Sequence, residues 1–178
     1  PMPKEFLQHL RNVADKHGIV LIFDEIQCGA SRTGKFFACE HAGVIPDMIC
    51  MAKSIGAGMP ISAVTGRASI MDAPHLGGVG GTYGGNPIAC VAAIEAVKVL
   101  SSTEFLNRVQ EVGNLISAQL QNWKEKYALI GDVRGIGAMQ LVEFVSNRNE
   151  RTPDPDVTLE IIRDAVAHGL LMIRAGLY

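Results

Sequence analysis

An aspartate and a lysine, each at the carboxyl end of a short apolar run, are the residues of this sequence best placed to do chemistry. Ile19-Val20-Leu21-Ile22-Phe23 runs into Asp24-Glu25, and Met48-Ile49-Cys50-Met51-Ala52 runs into Lys53, 29 residues beyond Asp24. That separation is about one strand-helix-strand unit, so both side chains are expected at one sheet edge, outside the strand ends, where open α/β sheets place ligands. A lysine there can partner a phosphate or a carboxylate, or act as an amine nucleophile when burial or neighbouring charge lowers its pKa. Spacing alone does not choose among these jobs, and a solvated charge at a strand end is the plain alternative.

The surrounding pattern supplies elements that would position the pair. Apolar residues recur at helical spacing from Lys4 to His17, with Gly18 as the stop. The Ile19–Phe23 run reads as a strand covered on both faces, and a short helix is expected over Phe36–His41. Further strands are expected at Met48–Ala52 and Ile61–Gly66. Strands alternating with helices give an α/β fold with a mostly parallel sheet and flanking helices. Six glycines between Gly77 and Gly85 free the backbone for close approach, and Asn86-Pro87 suits the cap and first turn of a helix reaching about Leu100. Phe105, Val109, Val112, Ile116, Leu120, Trp123 and Tyr127 write a long helix leading into a second, smaller α+β part. There, Val133, Met139–Val145 and Leu170–Ile173 read as strands, 146–156 as a polar loop and Val157–His168 as a helix.

Composition narrows the function classes. The chain has 178 residues, 48% hydrophobic and 19% charged, with a net charge of -2. It lacks the basic excess that sequence-independent phosphate binding needs, so nucleic acid is not expected as a partner. No apolar run reaches the roughly 18 residues of a membrane span and no leader opens the chain, so a soluble, cytoplasmic protein is expected, with no membrane partner. A chain this apolar would expose unusual surface alone, which suggests part of something larger. Cys28, Cys39, Cys50 and Cys90 show no metal-ligand spacing and read as buried thiols, and no metal site is expected among the scattered histidines.

A nucleotide hydrolase fits poorly. Gly29-x-x-x-x-Gly34-Lys35 approximates a phosphate loop, but Phe36 stands where a magnesium-binding hydroxyl belongs, and the acidic strand precedes the loop.

Longer strings decide the matter. Phe23-Asp24-Glu25-Ile26-Gln27-Cys28-Gly29, Arg32-Thr33-Gly34, Pro46-Asp47, Ala52-Lys53-Ser54-Ile55, Gly58-Met59-Pro60 and Gly80-Gly81-Thr82-Tyr83-Gly84-Gly85-Asn86-Pro87 occur in order. Together they resemble the class III aminotransferases, which use pyridoxal 5'-phosphate. Met71-Asp72-Ala73-Pro74, the glycine loop and Asp132-Val133-Arg134-Gly135-Ile136-Gly137-Ala138-Met139 fit the branch of that family acting on 4-aminobutyrate.

The resemblance implies a role for each matching residue. Lys53 matches the catalytic lysine, which forms the internal Schiff base with the cofactor and moves the proton once the substrate amine displaces it. That work needs a neutral amine, which desolvation and a cationic cofactor favour. Asp24 matches the carboxylate paired with the pyridinium nitrogen, Gln27 the partner of the phenolic oxygen, and Ile26 the apolar packing on the ring. Thr82 matches a threonine that contacts the phosphate of the neighbouring subunit's cofactor, which implies a homodimer or higher homo-oligomer. Cys28 stands where many members have Ser or Thr, a small-for-small change.

The resemblance also implies a fold and a reaction. Residues 1–100 would be the carboxyl portion of the large cofactor-binding domain of the type I fold, and 101–178 the linking helix and an incomplete small domain. The chain would be a central-to-C-terminal fragment. It would lack the loop holding the cofactor phosphate, the aromatic residue stacked on the ring, and the arginine that binds the substrate carboxylate. The complete protein would transfer an amino group from 4-aminobutyrate or a similar omega-amino acid to 2-oxoglutarate, a 2-oxo acid. The alternatives are an acetylornithine or ornithine type of aminotransferase, or a catalytically inactive binding or assembly fragment. Glu25 is expected to hold a loop or pack at the interface, Arg32, Arg134 and Arg174 to form structural salt bridges, and Trp123 and Tyr127 to pack. Ser31 and Ser54 show no nucleophile-base pairing.

Overall fold

The computed structural model describes residues 2–82 and 84–176. The chain divides into two compact units, Pro1–Glu111 and Val112–Tyr178. In the first, helix α1 (Lys4–His17) ends at Gly18, whose left-handed backbone (φ 64°) turns its N–H back onto Ala14 and Asp15 carbonyls. Strands β1 (Ile22–Asp24), β2 (Met48–Met51) and β3 (Ala63–Gly66) form one sheet in that order. A short helix α2 (Ala68–Met71) follows, then α3 (Pro87–Leu100). The Asn86 side chain caps α3, accepting from Ile88 and Ala89 N–H at 3.0 and 3.2 Å.

Three expectations are corrected here. First, β1 is shorter than its apolar run, because the Leu21 N–H is taken by the Asp47 carboxylate at 2.7 Å and the Leu21 carbonyl by Asp47 N–H at 2.8 Å. Ile19, Val20 and Ile22 are about half exposed, so this run is not covered on both faces. Second, the sheet is mixed. β1 and β2 are parallel, but β3 is antiparallel to β2, since the stretch 52–62 is shorter than the dozen or so residues a parallel crossover needs. Third, the expected helix over 36–41 is a 3-10 helix, Ala38–Ala42.

Asp47 ties the layers of this unit together. Its nearly buried carboxylate pairs with Arg11 of α1 and Arg67 beyond β3, both at 2.8 Å. Backbone and guanidinium hydrogen bonds hold its carboxyl below the usual carboxylate range. The buried apolar residues here are mostly small, Ala14, Ala30, Ala42, Val44 and Ala89 among them, with Ile55 the large exception.

Helix α4 (Thr103–Lys126) runs across the division between the units. The second unit continues with β4 (Ile130–Ile136), β5 (Met139–Asn147), β6 (Thr152–Pro153) and α5 (Pro155–Ala167). Its sheet is antiparallel, in the order β4-β5-β6. Ile130, Val133 and Phe144 form its core, with Leu120, Val142 and Ile161 packed against them. β6 falls inside the stretch expected as a polar loop. Leu170–Ile173 forms no strand among the described residues, because no partner strand lies beside it.

Candidate functional site

The parallel register pairs Asp24 with Cys50, and the ladder extends one residue further through a 3.0 Å bond from Glu25 N–H to the Cys50 carbonyl. Lys53 lies three residues beyond Cys50, at the start of a 3-10 helix, Lys53–Gly56. Asp24 and Lys53 therefore leave adjacent parallel strands at the same sheet edge. Both are exposed. The Asp24 Oδ1 accepts the Ile26 N–H at 3.0 Å, and neither Asp24 nor Lys53 has an ion-pair partner among the described residues. The desolvation expected at Lys53 is not supplied by those residues.

Lys53 adopts φ 54°, a left-handed conformation that costs a non-glycine residue about 1 kcal/mol. It places a lysine where the chain turns sharply out of β2.

Ile26 is half-buried and Gln27 exposed, both in the turn that follows β1. Thr82 is exposed in the loop between α2 and α3, where Gly77, Gly80 and Gly85 take positive φ. Tyr83 of the same motif lies outside the described residues. No hydrogen bond or ion pair joins Thr82 to Asp24, Gln27 or Lys53 among the described residues.

Glu25, next to Asp24, does hold a loop. It is 4% exposed and accepts the N–H groups of Ala38 and Cys39 at 3.0 and 2.9 Å. The Cys28 thiol donates to it at 3.1 Å. Burial, reinforced by this carboxylate, pushes the Cys28 thiol up to about 12 and the Cys39 thiol up to about 11. Only Cys39 of the four cysteines is fully buried, which corrects the expectation for Cys28, Cys50 and Cys90.

Other expectations divide. Arg134 forms its structural salt bridges, to Asp132 at 2.8 Å and to Glu143. Among the described residues Arg32 is exposed without an ion pair and Arg174 donates only to the Gly176 carbonyl, so neither is a salt-bridge arginine there. Trp123 and Tyr127 remain more than two-fifths exposed and are not core residues. Ser31 is completely buried and donates at 2.6 Å to the Leu100 carbonyl, a tie that no local pattern announced.

An open depression of about 520 Å³ lies beside Ser54 and Ala57, lined by Ala92, Ala96, Val99 and Leu100 of α3. Its one charged residue, Glu95, pairs with Lys98 at 2.7 Å, so it offers packing surface rather than converging polar groups. No helix among the described residues is long and apolar enough to cross a membrane.

The family model described as Aminotransferase class-III matches residues 1–177. The chain is 47% identical over 173 residues to 4-aminobutyrate aminotransferase of Escherichia coli (strain K12), covering 97% of this chain and 41% of that protein. It is 46% identical over 175 residues to 5-aminovalerate aminotransferase of Pseudomonas aeruginosa, covering 98% and 41%. Among solved structures, an amine transaminase from an uncultivated Pseudomonas species, in its PLP-bound form, superposes with a TM-score of 0.90. It is 34% identical, and the match covers 98% of this chain and 42% of that one. A taurine:2-oxoglutarate aminotransferase from Bifidobacterium kashiwanohense superposes with a TM-score of 0.91 at 28% identity, covering 99% and 42%. The chain thus spans about two-fifths of the length of the relatives it matches.

Proposed function

Since the chain belongs to the class III aminotransferases, we propose that the protein containing it moves an amino group from 4-aminobutyrate or a similar omega-amino acid to 2-oxoglutarate. One observation carries the site: Asp24 and Lys53 leave adjacent parallel strands at one edge, both exposed, with no ion-pair partner among the described residues. A carboxylate and an amine at one sheet edge, each without an ion-pair partner among the described residues, fit a cofactor with a cationic ring nitrogen and a carbonyl carbon. The family depends on pyridoxal phosphate, which, when bound, supplies an electron-accepting ring for the charge left as a substrate C–H bond breaks.

In this reading each residue has a task. The Asp24 carboxylate holds the proton on the ring nitrogen, since an anion beside a cation favours the charged form. With Oδ1 engaged by Ile26 N–H, Oδ2 is the oxygen left for that pairing. The Lys53 amine, in its neutral state, takes the proton from the substrate carbon that bears nitrogen and returns it to complete the transfer. Ile26 covers a ring face, Gln27 bonds the phenolic oxygen, and Thr82 reaches the phosphate held by a neighbouring subunit in a dimer. Residues 1–100 belong to the cofactor-binding domain and 101–178 to the linking helix and part of the small domain. Catalysis belongs to the complete protein.

The substrate reading is supported by the relatives named for 4-aminobutyrate and 5-aminovalerate, at 41–47% identity. Single-turnover absorbance changes of the full-length protein with each amino donor test it. Fast conversion of 4-aminobutyrate or 5-aminovalerate is expected. Fast conversion of ornithine derivatives, with none of these two, overturns the substrate and leaves the family intact.

A further inference from the structure

Among the described residues the Asp24 carboxylate accepts one hydrogen bond, from the Ile26 N–H within its own turn, and is otherwise exposed. Its position is therefore set by the backbone of 24–29 rather than by a side-chain partner. Besides the pairing of Asp24 with Cys50 and a bond from the Cys28 thiol to the Asp24 carbonyl, that backbone is held largely through the next residue. Glu25 donates its N–H to Cys50 of β2, accepts the Gly29 N–H on its carbonyl at 2.9 Å, and sends its carboxylate inward to the N–H groups of Ala38 and Cys39. The turn is packed tightly around it. A Cβ on Gly29 would lie 2.7 Å from the Glu25 carbonyl oxygen, closer than carbon and oxygen approach without a shift.

We propose that Glu25 is a positioning residue of the cofactor site, acting through Asp24. This rests on the reading of Asp24 given above. Adjacent residues at a strand end point to opposite sides, so anchoring Glu25 on the inside sets the side on which Asp24 emerges. A carboxylate at 25 accepts two backbone N–H bonds at once. An amide in its place accepts one and turns its own NH₂ toward the other, so the turn must move to relieve a donor facing a donor.

The test is a double-mutant cycle in the full-length protein, using Glu25→Gln, Asp24→Asn and the combination. The readouts are the Kd of the apoprotein for pyridoxal phosphate and the pH dependence of the bound cofactor's visible absorbance. Asp24→Asn is expected to weaken binding about a hundredfold, the scale of one charged hydrogen bond. Glu25→Gln is expected to weaken it about tenfold, within the range of coupled neighbours. The combination should match Asp24→Asn alone, and both single variants should displace the absorbance titration in the same direction.

Gly29→Ala, whose added Cβ would press on the carbonyl and side chain of Glu25, should reproduce the Glu25→Gln result and its loss in the Asp24→Asn background. It stands in if Glu25→Gln fails to fold. Independent, multiplicative effects overturn the positioning role while leaving the site intact, as does wild-type affinity in Glu25→Gln. Unchanged affinity and titration in Asp24→Asn overturn the site reading itself.

Discussion

Burial, reinforced by the neighbouring carboxylate of Glu25, makes the thiols of Cys28 and Cys39 poor nucleophiles. With values raised to about 12 and about 11, less than roughly one thiol in a thousand is ionised at pH 8, whereas an ordinary cysteine is substantially ionised there. Alkylation of the native protein should therefore be slow at both positions at pH 8 and accelerate about tenfold per pH unit. Fast labelling of either at neutral pH, followed by mass spectrometry, would contradict that placement. Lys53 carries the opposite expectation. In the full-length protein Lys53→Ala should cost at least about a thousandfold in kcat, the upper range for a lost proton-transfer group, while Lys35→Ala should cost little. At this scale the shared sheet edge of Asp24 and Lys53 was legible, because each follows a short apolar run. The surroundings of Arg32 and Arg174 were not, because an ion pair depends on what lies opposite in space. Asp47 was visible only as half of the Pro46-Asp47 string, though its carboxylate receives Arg11, Arg67 and the Leu21 N–H.

Among the elements, the hairpin β4-β5 and helix α4 meet through charge and close packing, and both contacts can be tested. Asp132 lies between Arg134 and Lys124, and its carboxyl is lowered to about 2, chiefly by the Arg134 hydrogen bond and then by that of Lys124. A folded value below the unfolded one stabilises the fold at pH values above about 4, and that contribution fades as pH falls through the window from about 4 to about 2. Discounted for solvent screening of a partly exposed group, Asp132→Asn should cost about 1 kcal/mol at pH 7 and only a small fraction of that at pH 2 in thermal melts. Gly113 presents a harder constraint, since a Cβ there would overlap the Gly137 carbonyl at the β4-β5 turn, far inside van der Waals contact. Gly113→Ala should destabilise by more than about 2 kcal/mol, because backbone must move to admit one methyl. Most elements were readable: α1 with its Gly18 stop, the Asn86 cap of α3, and the long α4 all follow local rules. The antiparallel β3 was not, since strand direction is set by the length and path of a connection rather than by apolar pattern. Leu170–Ile173 is apolar enough for a strand, but a strand needs a neighbour.

The whole chain exposes 11901 Å². Folded units of 111 and 67 residues, taken separately, would expose roughly 10,000 Å² in total. The excess includes apolar side chains such as Ile88, Val91 and Ile94 of α3, and Ile19 and Val20 before β1. This agrees with a chain spanning about two-fifths of its relatives' length, and we propose that the rest of the protein and a second subunit cover these faces. The isolated chain should then self-associate, and sedimentation as a clean monomer with a cooperative melt would contradict this. The central claim, that Lys53 is the lysine of a pyridoxal phosphate site, is tested most directly by loading the full-length protein with the cofactor, reducing with borohydride and mapping the modified peptide. Selective modification of Lys53 is the result expected. Random labelling of surface lysines with Lys53 untouched would contradict it.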